Sequence, residues 1–135
     1  MPVRAAASPI DIAISGLRAQ SMRLNVIASN IANAETTRTA TGQPYRRKDL
    51  VLSTDPSALA GVKVDQIAED MTTDFRRIYQ PGNPLANAEG YVSMPNVDIP
   101  TEMIHLVTAS RAYQANAMFL KRQQELGDVT LELLR

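Results

Sequence analysis

The sequence predicts a mainly α fold with a small β-rich insertion. Antiparallel N- and C-terminal helices form a coiled-coil-like pair, and the middle segment holds short strands and loops. Three observations predict this. Apolar residues recur in steps of seven near both ends of the 135-residue chain, the seam of paired helices. Between those ends the composition turns to short β-branched and aromatic stretches separated by Pro and Gly. Hydrophobic residues make up 44%, yet aromatics only 4% with no Trp. Aromatics supply much of the buried area of a globule, so this balance suits long helices better.

The first helix is expected to start at "SPID". Ser8 caps, Pro9 is preorganised for the first helical position, and Asp11 stands where a capping-box acid belongs. Ile10, Leu17, Leu24 and Ile31 form a seven-residue series, with Ile27 and small residues between. The pattern lasts to about Ala34 and is ended by "TTRTATG". The second helix is expected from "NVDIPTEM". Asp98 caps it, Pro100 is tolerated in its first turn, and Glu102 complements the dipole there. Its seam runs through Ile99, Met103, Leu106, Tyr113 and Leu120, and Gly127 is expected to loosen the last turns.

Four stretches between the helices read as strands: "YRRKDLVL", "GVKVDQI", "FRRIY" and "GYVSM". The division is therefore a terminal helical unit, 1–36 plus 97–135, and a β-rich insertion, 37–96. Some 60 residues make a marginal core on their own, so the insertion is expected to lean on something else. Gly82 and Gly90 are expected to set turns, Gly90 with positive φ.

Both helices carry a second apolar face. Advancing about 100° per residue gathers Ile12, Met22 and Val26 on one helix, away from its seam. On the other it gathers Ile104, Met118, Phe119 and Leu126. A helix apolar on two faces is buried on two faces. Either the middle segment folds back over these faces or other chains cover them. The second is favoured, because a small β module is short beside helices of roughly 40–50 Å. Asn30 and Asn33, in "SNIANAET", border the second face of the first helix. They read as contacts to a neighbouring subunit that set its register, as a buried Asn does in coiled coils. Tyr113 lies on the helix seam and Asn116 flanks it; they read either as core packing with a polar tip or as polar atoms that fix register between helices.

Several functions are excluded or disfavoured. The chain has no cysteine, which removes disulfides, thiolate catalysis and Cys-based zinc sites. Formal net charge is zero, so no bulk field draws nucleic acid, and the basic runs Arg46–Lys48 and Arg76–Arg77 have no aromatic platform. They read as outward strand residues, some paired with neighbouring subunits. His105 is the one histidine and reads as a surface or interfacial residue. Neither Glu69 with Asp70 nor Asp65 with Asp74 belongs to a nucleophile elbow, phosphate loop or His–acid dyad. No catalytic residue, cofactor, metal site or small-molecule substrate is expected. No apolar run reaches the length of a membrane span, and no cleavable signal peptide is evident at the N-terminus.

Two long stretches carry a resemblance. "SGLRAQSMRLNVIASNIANAETTRTATGQPYRRKDLV" resembles the N-terminal signature of flagellar rod and hook proteins. "GNPLANAEGYVSMPNVDIPTEMIHLVTASRAYQANAMFLKRQQEL" is similar to the C-terminal half of their proximal-rod branch. The resemblance implies a structural subunit of the bacterial flagellar basal body, stacked helically into the periplasmic rod that transmits torque around an export channel. It implies export by the flagellar type III apparatus without a cleaved signal. Implied partners are other copies, other rod proteins, the base adaptor and membrane ring, and the distal rod. Another axial paralogue, or a coiled-coil adaptor that does not polymerise, are the competing readings.

Overall fold

The computed structural model describes residues 8–56 and 61–135. Helix α1 spans Pro9–Ala32 and helix α2 spans Ile99–Leu133. Between them lie β1 (Lys48–Asp55), β2 (Gly61–Glu69), β3 (Arg76–Tyr79) and β4 (Tyr91–Met94). The expected turn at "DPSALAG" lies partly outside the described residues, as do the first seven positions.

Both helix starts form as their residues dictate. The Ser8 hydroxyl accepts from the Ile10 N–H at 3.2 Å, and Asp98 accepts from the Thr101 N–H at 3.2 Å. The Asp98 carboxyl is held below its usual pKa by the Thr101 side chain and then its backbone N–H. α1 ends at an Asn33 cap, whose N–H returns to the Ser29 and Ile31 carbonyls. α2 runs through Gly127 unbroken for 35 residues, about 52 Å at 1.5 Å per residue.

The helices pack against one another antiparallel: Gly16 lies against Asn116, and Asn30 bonds Glu102. A Cβ on Gly16 would stand 3.1 Å from the Asn116 amide nitrogen, so the Asn116 side chain packs directly on the Gly16 backbone. Small residues Ala13 and Ala109 are buried along the same pair.

Each pair of strands forms its own antiparallel hairpin, β1 with β2 and β3 with β4. A lone two-stranded ribbon is marginal in water, so each needs support. β1–β2 lies on α1, with the Val62 N–H donating to Ser15 Oγ at 3.0 Å and Leu50 buried beneath. Its register slips by one residue between Val51 and Leu52, a bulge that bends the strand. β3–β4 packs on neither helix among the described elements. Its anchor is Asn96, just after β4, described below.

The tip of β3–β4 depends on Gly90. Its φ is +84°, and a Cβ there would meet Tyr79 at 2.8 Å and Pro81 at 3.2 Å. Gly90→Val therefore adds a left-handed backbone penalty of about 1–3 kcal/mol to a steric one. The expected result is loss of the Tyr79–Tyr91 edge contact (5.3 Å between ring centres) and of local amide protection. Helical circular dichroism stays unchanged. Equal loss from the helices would contradict the separation of this tip from the helix pair.

Candidate functional site: a buried latch and an uncovered helix face

The end of α1, the strand entering β1 and the start of α2 converge on one polar network. Asn30 is fully buried. Its Oδ1 accepts from the Lys48 N–H at 2.9 Å and from the Tyr45 hydroxyl at 3.0 Å. Its Nδ2 donates to the Lys48 carbonyl at 2.8 Å and to Glu102 Oε2 at 3.1 Å. An amide has two donors and two acceptor sites, so every one is used within the chain.

Glu102 is buried at 1% exposure, where a lone carboxylate would be costly. Arg47 Nε donates to its Oε1 at 2.6 Å, and Arg47 also pairs with Asp49 at 3.2 Å. Burial pulls the Arg47 guanidinium pKa down, but its hydrogen bond and charge interaction with Glu102, then Asp49, carry it above its ordinary value. His105 Nδ1 lies 3.6 Å from the same Glu102 oxygen.

Asn96 closes the other side. Its Oδ1 accepts from the Arg47 N–H at 2.7 Å, and its Nδ2 donates to the Asp70 and Thr73 carbonyls at 3.1 and 3.0 Å. Residues 45–48 are thus clasped by one asparagine from α1 and another from the β4–α2 junction. Next to this clasp Ala34, Tyr45 and Val97 form a small apolar core. Arg46 stacks on Phe75, 4.3 Å from its ring centre, and donates to the Asp70 carbonyl at 3.1 Å. The Asp70 carboxylate accepts from the Thr73 and Thr72 hydroxyls and N–H groups, which hold its pKa well below the usual carboxylate range.

This geometry corrects several expectations. Asn30 is not an inter-subunit contact: its amide is consumed inside the chain. Asn33 is tied to Ser29 and Thr36 beside it. Val26 is buried, and Met22 and Val26 border a crevice with Lys48 and Ile67 of the β1–β2 hairpin. The middle segment does fold over the second face of α1, because the hairpin is as long as the stripe it covers. Arg47 is not an outward strand residue but the counter-ion of Glu102.

The seam of α2 is rotated from its expected phase. Ile99, Met103 and Tyr113 are exposed, while Glu102, Leu106, Ala109, Asn116 and Leu120 turn inward to varying degrees. A one-residue rotation would replace Glu102 by Met103, leaving Arg47 and Asn30 without their partner. The Asn116 side chain lying on Gly16 also leaves little room there for a larger one. On α1, Ile27 is buried, Leu17, Leu24 and Ile31 are half-buried, and Ile10 is exposed.

The second face of α2 fares differently from that of α1. Ile104, Met118, Phe119 and Leu126 are 41–66% exposed, whereas Ile12 of α1 is half-buried. No strand packs on α2 among the described elements. No group of His, Asp or Glu among the described residues could hold a metal ion. None of their helices is long and apolar enough to cross a membrane. An open groove beside β3–β4, lined by Arg38, Phe75, Arg77 and Tyr91, holds no nucleophile–base pair.

The fold is a helix pair fastened by a buried polar latch, with an apolar face of α2 left uncovered among the described elements, an architecture of the structural kind. Residues 10–38 match the family described as "Flagella basal body rod protein", and residues 88–133 match "Flagellar basal body rod FlgEFG protein C-terminal". The chain is 51% identical over 126 residues to the flagellar basal-body rod protein FlgC of Yersinia enterocolitica, covering 91% of this chain and 93% of that one. It is 48% identical to FlgC of Salmonella typhimurium over the same shares, and 40% identical to FlgC of Agrobacterium fabrum, covering 92% and 91%. The chain belongs to the FlgC-type flagellar basal-body rod proteins. These are structural components of the flagellar basal body and not enzymes.

Proposed function

We propose that the chain is a subunit of the proximal, periplasmic part of the rod, repeated helically with other rod proteins into a torque-bearing tube around an export channel. The observation that carries this reading is the apolar stripe of α2, which no other element among the described residues covers. Surfaces of this kind associate through the hydrophobic effect, and head-to-tail contacts that do not close give filaments. Ile104, Met118, Phe119 and Leu126 are the proposed inter-subunit residues, with Met22 at the margin of the α1 hairpin.

The terminal unit, 1–36 plus 97–135, forms the inner layer, and the insertion 37–96 lies outside it. Its partners are further copies, other rod proteins, the base adaptor and membrane ring, and the distal rod. The flagellar type III apparatus exports it without a cleaved signal peptide.

The test is complementation. The tagged chain, produced in a flagellate bacterium lacking its own copy, is expected to copurify with basal bodies and restore swimming. Recovery only as a discrete soluble complex, with basal bodies lacking it, would favour a non-polymerising adaptor instead.

A further inference from the structure

On the side of the helix pair facing Lys48, a crevice of about 260 Å³ opens between α1 and α2. Its polar lining is incomplete. Gln20 Oε1 is buried and meets no donor. Arg23 has no carboxylate partner among the described residues, and the Lys48 ammonium stands only over the Tyr45 ring, 5.6 Å from its centre. The crevice carboxylate of Asp49 is paired with Arg47, as is neighbouring Glu102. Left over, among the described residues, are two cations that lack an acceptor and one acceptor that lacks a donor. Ile27, Ala109 and Ala112 supply an apolar floor.

The complement of this lining lies at the far end of α2. Gly16 faces Asn116 and α1 begins seven residues before Gly16, so helix pairing runs out near Gln123. Every residue after Gln123 is exposed. The helical part of this tail, residues 124–133, is about 15 Å long. At 100° per residue, Glu125, Asp128 and Glu132 form one stripe, and Leu126, Val129 and Leu133 form another beside it. Gln124 adds an amide donor next to the acids.

We infer that the acidic–apolar tail of α2 from a second copy docks in this crevice, its carboxylates on Arg23 and Lys48 and its leucine side on the apolar floor. The inference rests on the rod reading and specifies one contact within it. A helix laid over the groove removes the exposed Leu126 and Val129 from water and gives the two cations their counter-ions. The amide of Gln124 is then available to the orphaned Gln20 oxygen. Such charge matching sets register and excludes wrong partners more than it adds raw affinity.

The chain has no cysteine, so single cysteines report without background. One tagged copy carries Thr108→Cys, on the crevice, and another carries Thr130→Cys, on the tail. They are produced together, and basal bodies are treated with a short bis-maleimide. Each copy carries a single cysteine, so a crossed product joins different copies. Expected is a strong 108–130 product and none between Thr130→Cys and a Gln66→Cys control on β2. Arg23→Glu is expected to lower the crossed product about fivefold, and Glu125→Arg in the tail copy to restore it. Lys48→Glu replaces Arg23→Glu if the latter lowers helix content. Absence of the 108–130 product from basal bodies that contain both copies would overturn this contact and leave the rod reading intact. So would a product indifferent to charge reversal. Basal bodies that contain neither copy would overturn both.

Discussion

Asn30→Leu is expected to lower the unfolding free energy of the isolated chain by about 3–5 kcal/mol, because each abandoned buried polar group costs about 1–3 kcal/mol. The substitution strips partners from the Lys48 N–H and carbonyl, the Tyr45 hydroxyl and Glu102 Oε2 together. Leucine has as many side-chain heavy atoms as asparagine but is bulkier, which adds crowding at a fully buried site; it is a better helix former, so only helix propensity works the other way. Against a typical total of about 5–15 kcal/mol, the loss is large. Urea unfolding followed by far-ultraviolet circular dichroism measures it. A change under about 1 kcal/mol, the net worth of an ordinary hydrogen bond, would show that the latch is dispensable to the fold. Failure of the variant to assemble is then a consequence of a weakened subunit, not of a lost contact between subunits.

Arg47→Ala is expected to be comparably damaging. Removing one partner of a buried ion pair costs about 3–5 kcal/mol, since the remaining charge stays desolvated. Here that charge is Glu102, with Asn30 Nδ2 and a poorly placed His105 as its remaining neighbours. The diagnostic measurement is a double-mutant cycle. Glu102→Gln keeps an oxygen for Asn30 and removes the charge. Arg47→Ala combined with Glu102→Gln is therefore expected to be more stable than the sum of the single losses by about 1–3 kcal/mol. Additive losses would mean that Arg47 stabilises by packing its stem rather than by neutralising Glu102.

The elements were largely legible because their signals are local. Caps at Ser8 and Asp98, seven-residue apolar steps and Gly- or Pro-flanked β-branched runs place both helices and all four strands near their observed bounds. Gly90 was legible for the same reason, and its φ is positive as expected. The site was less legible because its partners are remote in sequence. Glu102 lies 72 residues from Asn30 and 55 from Arg47, and alone it reads as a dipole complement in a first helical turn. One signal was present. Glu102 is spaced seven and fourteen residues from Ala109 and Asn116, a seam phase of its own. Choosing that phase over the one through Met103 required knowing that a cation and an amide waited opposite.

The sequence by itself determined that two amphipathic helices flank a strand-rich insertion, that no cysteine chemistry is possible, and which family the chain resembles. Each of these follows from residue types and short spacings. Only the tertiary structure decided which face of α2 turns inward, that the β1–β2 hairpin covers α1 but leaves α2 open, and that Asn30 fastens its own chain. Those outcomes depend on the complete set of hydrogen bonds and charges that must be satisfied at once when remote segments meet. Periodicity locates an apolar face, but the partners of buried polar atoms choose between faces of similar apolarity. The stretch "SNIANAET" shows the difference: its asparagines mark the end of α1, and the fold makes the first of them the centre of the latch.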